Sequence, residues 1–382
     1  MQPIVFSRPF RAPDEQAYVA QALESGHLHG DGTFTRRATA LLQEISGAPR
    51  ALLTSSCTHA LELAAVLLDL GPGDEVVVPS FTFSSTAAAV VQRGATPVFA
   101  DVDPLTLDLT PETVARCVTE RTRAVFVVHY GGVGCDVDGI RAAAGGVPVV
   151  EDNAHGLGAS VGGRRLGTLG ELAAQSFHDT KNVQCGEGGA LLVNDARLAE
   201  RAEVVREKGT DRARFLRGQV DKYTWVDTGS SYLPSELQAA LLLAQLEAFD
   251  RIQAERHRVW SRYAAELPEW AEEVGARLMH VPDDVEHPAH VFYLMAPTHE
   301  DQTGLIAAAK ERGVIATFHY QPLHSSPAGR RFGRAAPGGC PVTDDAAARL
   351  VRLPLWPGMT DDDVSRVVAA VRAYRPVGVP VA

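Results

Sequence analysis

Cysteine is scarce and scattered. Cys57, Cys117, Cys135, Cys185 and Cys340 stand far apart, are odd in number and form no C-x-x-C pair, which argues against a disulfide framework. A reduced, cytoplasmic protein is expected from that usage. No run of about 18 uninterrupted apolar residues occurs, so no transmembrane helix is expected. The first residues, MQPIVFSRPFRAPDEQ, lack the basic segment and apolar run of a secretory signal. An excess of basic charge is also missing. Lys plus Arg is 36 against 47 Asp plus Glu, a formal charge of −11, which disfavours binding that neutralises nucleic-acid phosphates. What is present is ordinary for a folded chain: 45% hydrophobic and 22% charged residues over 382 positions. That length suggests two domains, or one large and one small, and should bury about three quarters of the unfolded surface.

Short apolar runs alternate with helical stretches through the first half. Thr58–Leu70 reads as an apolar helix stopped by Gly71-Pro72-Gly73, followed by the strand Glu75–Pro79. Helix Ser85–Gln92 precedes strand Pro97–Asp101, and helix Pro111–Glu120 precedes strand Arg123–His129. A short helix near Val137–Ala144 leads into strand Val147–Asp152, with a further strand at Ala173–Phe177. Continuous apolar strands between helices are the pattern of a buried parallel sheet covered on both faces. From Pro234 to Leu267 a single long amphipathic helix is expected to join the large unit to a smaller α/β one. That smaller unit has strands at His290–Met295 and Ala316–Tyr320, a helix at Asp301–Arg312, and a last helix after Thr360, where Asp363 completes a capping box. The tail Arg375–Ala382 is expected to fray.

Ligands of such sheets bind beyond the carboxyl ends of the strands, so polar residues just after the apolar runs are the ones to weigh. Thr54-Ser55-Ser56-Cys57-Thr58 opens a helix, where free N–H groups and the dipole can hold a phosphate. It serves equally as an ordinary Ser/Thr cap. Ser80-Phe81-Thr82-Phe83-Ser84 places aromatic rings past a strand, to stack on a flat ligand or simply to fill the core. Asp152 and His155, in Glu151-Asp152-Asn153-Ala154-His155, end another strand, and Asp152 can meet a cationic group or cap the next turn. Lys181, in Ser176-Phe177-His178-Asp179-Thr180-Lys181-Asn182, precedes the glycine-rich Gly186-Glu187-Gly188-Gly189. A lysine there can form a Schiff base once burial lowers its pKa, though most lysines are solvated surface groups. Phosphate turn, aromatic, strand-end Asp and then Lys are together four parts of a pyridoxal phosphate site.

On those motifs the chain resembles the DegT-type nucleotide-sugar aminotransferases. The pieces are SSCTHALELAAVLL at Ser55–Leu68, VVVPSFTFSSTA at Val76–Ala87, VEDNAHGLGA at Val150–Ala159, SFHDTKNVQCGEGGAL at Ser176–Leu191 and FHYQPLH at Phe318–His324. The resemblance implies a fold type I α/β architecture. That is a large domain with a mostly parallel mixed sheet covered by helices (residues 1–250, with an N-terminal arm), plus a smaller C-terminal α/β domain (251–382), joined by a long helix at about 235–267. It implies pyridoxal 5′-phosphate held by a Schiff base to Lys181, which also moves the proton during transfer. Asp152 would keep the ring nitrogen protonated, His155 would meet the phenolic oxygen, and Phe83 would stack on the ring. Ser56, the backbone N–H groups of Cys57 and Thr58, and the Ser176 hydroxyl would hold the phosphate.

Many relatives carry G-x-N-x-R before the long helix, whose Asn reaches the neighbouring subunit's phosphate. Here Gly229-Ser230-Ser231-Tyr232-Leu233 stands in its place: Ser231 can donate one hydrogen bond and Leu233 lacks the arginine. His319, Tyr320 and His324 are substrate-side candidates. The form of the motifs is closest to the branch that aminates dTDP-4-keto-6-deoxyglucose at C4 with L-glutamate, working as a homodimer with shared active sites. Rival readings are amination at C3 or of a cyclitol ketone, and a catalytically silent regulatory relative. A C3 dehydratase would need His in place of Lys181.

Overall fold

The computed structural model describes residues 2–376; of the tail expected to fray, residues 377–382 lie outside the described residues. Eight strands form the main sheet. Across it run Ala51–Thr54, Gly189–Val193, Leu172–Ser176, Val149–Asp152, Thr122–Val128, Glu75–Pro79, Thr96–Ala100 and Arg334–Ala335. Gly189–Val193 is antiparallel to both its neighbours, and every other pairing is parallel. Side chains alternate between faces, as the pleat requires. Val77, Val125, Val127 and Val149 enter one buried cluster, and Val76, Val78, Phe126 and Val150 another. Both faces are covered, which explains the unbroken apolar runs in these strands.

The expected strands and helices of the first half are present with shifts of a few residues at their ends, apart from the helix at Pro111, which spans only Pro111–Ala115. The stretch read as one helix is two, Glu236–Glu247 and Phe249–Glu266, parted at Ala248 (φ −93°, ψ 7°). Their apolar residues go to different cores. Ala239, Leu242, Leu243 and Leu246 pack in the large unit, whereas Val259 and Tyr263 pack with Trp270, Phe292 and Val367 in the small one. A linear apolar stripe does not reveal such a change of destination. The expected strand Ala316–Tyr320 is an extended segment tied to the small sheet by a single bridge, Thr317 to Arg352.

The small sheet is antiparallel, with Tyr293–Met295 between Arg277–Leu278 and Leu350–Arg352. The helix Asp361–Arg372 begins with the expected Thr360/Asp363 capping box. We propose the seam between the units near residue 250, crossed by three strand pairings, one of them Val285–Glu286 against Ser160–Val161. The N-terminal arm pairs Ile4 with Val314, and Arg334–Ala335 joins the edge of the large sheet. Among the described residues no helix is long and apolar enough to cross a membrane.

Candidate active site

A cavity of about 590 Å³ opens at the carboxyl edge of the large sheet. Ser56, Cys57, Thr58, Phe83, Asp152, His155, Ser176, Lys181, His319 and Tyr320 all line it. They come from four strand ends and from the extended segment of the small unit. Phe6 and Ser7 of the arm, with His290 and Arg352 of the small unit, complete its walls.

At one end the helix Cys57–Leu67 begins. Ser56 caps it by accepting the His59 N–H (3.1 Å), and the N–H groups of Cys57 and Thr58 have no partner within the helix. The Thr58 hydroxyl is shared with Ser85 (2.7 Å). The strand starting at Gly189 backs against this turn so closely that a Cβ on Gly189 would lie 2.4 Å from the Cys57 nitrogen. That contact requires glycine. Burial pushes the Cys57 thiol well up, with the Asp152 charge adding to it, so the thiol stays protonated and the backbone is what this position offers.

Asp152 is 6% exposed at the end of its strand. The Thr86 hydroxyl donates to its Oδ2 (2.8 Å) and the Ala154 N–H to its Oδ1 (3.2 Å). Burial raises its pKa, opposed by the Thr86 hydrogen bond and by Lys181. Lys181 sits on the loop that follows Leu172–Ser176, its backbone N–H bonded to the His178 carbonyl (2.9 Å). Enclosure pushes its amine down to about 8, against the opposing pull of Cys57 and Asp152. His155 accepts the Gly131 N–H at Nδ1 (3.2 Å). Burial, then the Lys181 charge, holds the ring neutral, so its proton is on Nε2.

Glu151 anchors the strand end from behind. Fully buried, it accepts the N–H groups of Gly167, Leu169 and Gly170 (2.7, 2.7 and 2.6 Å) and shares a hydrogen bond with His129 Nε2 (2.8 Å). Glu151→Gln would aim amide hydrogens at donors. It is expected to lower stability by about 1.5–3 kcal/mol, the worth of hydrogen bonds to a charged group, read from the midpoint of urea unfolding.

Other expected residues are placed differently. Phe83 is 60% exposed at the cavity mouth. His319 Nδ1 bonds the Tyr130 hydroxyl (3.0 Å). His324 does not line the cavity; its Nδ1 shares a 2.7 Å hydrogen bond with the buried Ser80. Ser231 is exposed and lines a separate hollow with His29, Lys208 and Arg212. Sequence reasoning missed His290, Arg256 and Arg352. Arg256 donates from Nε to the Ala289 carbonyl (3.0 Å) and from Nη2 to the His290 carbonyl (2.6 Å). Arg352 lies with its guanidinium carbon 4.7 Å from the centre of the Phe6 ring, and its Nε is buried without a partner. Among the described residues no carboxylate pairs with either arginine.

A family model, the DegT/DnrJ/EryC1/StrS aminotransferase family, matches residues 10–372. The chain belongs to that family. It is 35% identical over 376 residues to the spore coat polysaccharide biosynthesis protein SpsC of Bacillus subtilis, covering 96% of each. Among solved structures it is similar to the aminotransferase TlmJ of Streptoalloteichus hindustanus, with 33% identity, a TM-score of 0.88 and coverage of 97% and 98% of the two chains. Similarity to DesV of S. venezuelae is of the same order, with 30% identity, a TM-score of 0.87 and the same coverage. This member of the family is therefore a transaminase on a fold type I scaffold. Its cofactor is pyridoxal 5′-phosphate, the cofactor of the family. The residues fit that group. The free N–H groups at Cys57 and Thr58 with Ser176 suit its phosphate, buried Asp152 suits a protonated ring nitrogen, and the Lys181 amine suits its carbonyl.

Proposed function

We propose that the chain is a nucleotide-sugar 4-aminotransferase. It moves an amino group from L-glutamate to the C4 ketone of dTDP-4-keto-6-deoxyglucose, giving a dTDP-4-amino-4,6-dideoxyhexose, in the cytoplasm, where its free cysteines stay reduced. The observation that carries the reading is a lysine amine, enclosed and lowered to about 8, sharing one cavity with a buried aspartate. A relative concerned with spore coat polysaccharide supports a sugar acceptor.

The bound cofactor supplies an electron sink for the pair released when a C–H bond next to nitrogen breaks. The chain's own groups do the rest. Asp152 holds negative charge against the ring nitrogen, and the Thr86 hydroxyl fixes which way that carboxylate faces. Lys181 Nζ, uncharged, takes the proton from the donor's Cα and returns one to C4 of the sugar. His155 offers the hydrogen on Nε2. Arg352 receives the donor's α-carboxylate, because a half-buried guanidinium with no anion in the chain is poorly satisfied without one. His319 and Tyr320 stand on the sugar side.

A homodimer with shared sites is part of this reading. Ser231, away from its own chain's cavity, would serve the partner's, and the neighbouring segment exposes Leu216 (66%), Tyr223 (52%) and Trp225 (78%). Trp225→Asp is expected to convert dimer to monomer in analytical ultracentrifugation and to lose activity with it.

The decisive experiment is an absorbance spectrum before and after L-glutamate, followed by dTDP-4-keto-6-deoxyglucose and NMR of the product. The bound cofactor's band should shift with glutamate and return with the sugar, and nitrogen should appear at C4. Nitrogen at C3 would move the reading to the C3 rival. No change with glutamate would remove the donor assignment.

A further inference from the structure

Behind Lys181 lies a second hollow of about 10 Å³, the order of space one water needs. His155, Ser176, Lys181, Asn182 and His290 wall it, and His290 also faces the main cavity. His290 is 5% exposed, and nothing in the chemistry above uses it.

Its tautomer is fixed by Asn182. The Asn182 amide nitrogen donates to the Pro288 carbonyl (2.8 Å) and to Gln253 Oε1 (3.0 Å). That leaves Asn182 Oδ1, 2.9 Å from His290 Nδ1, as the acceptor. The hydrogen is therefore on Nδ1. The groups facing His290 are Lys181 and His155 from the large unit, Arg256 from Phe249–Glu266 and Arg352 from Leu350–Arg352. None is an anion, and with burial they keep the ring neutral. His290 Nε2 is thus a bare lone pair. His155 is the reverse case, with its hydrogen on Nε2. The two rings lie tilted over one another, with centroids 4.3 Å apart and planes at 30°, and no hydrogen bond joins them.

We propose that His290 is a positioning residue for Lys181: both wall the hollow, and through the one water it can hold His290 Nε2 draws on an N–H of the Lys181 amine and so aims that amine's lone pair at the donor's Cα. The proposal rests on the transaminase reading. An uncharged lysine amine has two N–H groups and one lone pair, and rotation about Cε–Nζ offers that lone pair three staggered directions. Binding one N–H removes directions that point away from the substrate. Misplacement of about 1 Å in a reacting group can cost about a hundredfold.

His290→Phe keeps a ring and loses the acceptor; His290→Gln restores an acceptor. Each is compared with the natural enzyme in single-turnover reaction with L-glutamate and with glutamate deuterated at Cα. The rate at which cofactor-free protein takes up pyridoxal phosphate is also followed against pH. The Phe variant should react about 10–100-fold more slowly, with an unchanged half-saturating glutamate concentration and a larger isotope effect. The Gln variant should recover much of the rate. Since an acceptor favours the charged amine, the Phe variant's uptake midpoint should fall below that of the natural protein. Equal rates and midpoints in the Phe variant and the natural enzyme would overturn the proposal. So would Phe and Gln variants equally slow with an unchanged isotope effect, which marks a packing role only. A natural enzyme that captures cofactor but gives no reaction with glutamate would sink the transaminase reading instead, and the uptake midpoints would still decide whether His290 acts on the Lys181 amine.

Discussion

Lys181→Ala is expected to abolish the absorbance of the lysine–cofactor link and to lower transamination by about 10⁴-fold or more, the upper end of what one positioned acid–base group supplies. The loss should be of turnover rather than of cofactor binding as such. The turn at Ser56–Thr58, Ser176 and Asp152, the partners proposed for the phosphate and the ring nitrogen, remain in place. Equilibrium dialysis should therefore show cofactor still bound, though more weakly. The pH dependence follows from the same residue. With the amine pushed down to about 8 by enclosure, the reactive uncharged form predominates above that pH. Below it, that form falls about tenfold per unit, since protonation of one group is being followed. Cofactor uptake by the cofactor-free natural protein should rise with pH and level off above about 8. A midpoint near the ordinary lysine value would mean the amine is more solvated than the cavity suggests, and full activity in Lys181→Ala would end the assignment.

The large unit was legible because its chemistry is local to strand ends. In buried parallel strands the apolar run stops where the sheet stops, so the polar residues just after Val78, Val128, Asp152 and Ser176 are marked in the sequence itself. The strands Ala51–Thr54 and Gly189–Val193 escaped notice. One is four residues long, and the other opens on a glycine that looks like loop until the close approach to Cys57 explains it. The small unit was harder. Arg352, Arg256 and His290 follow Lys181 by 75 or more positions, and their residue types carry no signal. What distinguishes Arg352 is a guanidinium with neither an anion nor a partner for its buried Nε, which is a property of space. His324 shows the opposite failure: its segment reaches the site, while its own ring turns to Ser80. The split at Ala248 is likewise set by two separate cores, and no propensity in LEAFDRIQ announces it.

Arg352→Leu is expected to raise the half-saturating concentration of L-glutamate by about 10–100-fold, equivalent to about 1.5–3 kcal/mol for hydrogen bonds to a charged group. The arginine stands on the small sheet beside the cavity, held over Phe6 and with Nε unpaired. A carboxylate arriving there gains a charge-assisted, fork-shaped partner. The effect should fall on the donor half of the reaction and be similar for every amino-acid donor, because all share the α-carboxylate. Arg352→Lys keeps the charge but loses the planar fork and its stacking on Phe6, so an intermediate loss is expected. The absorbance of bound cofactor should be unchanged in both, since neither the phosphate turn nor Asp152 is touched. Stability gives an independent check. Without substrate the guanidinium is partly desolvated and has no counter-charge, so its replacement by an apolar side chain should cost little and can raise the unfolding midpoint. Loss of stability together with an unchanged glutamate requirement would show that Arg352 serves the packing of the arm. A raised glutamate requirement with stability kept identifies the group that receives the donor.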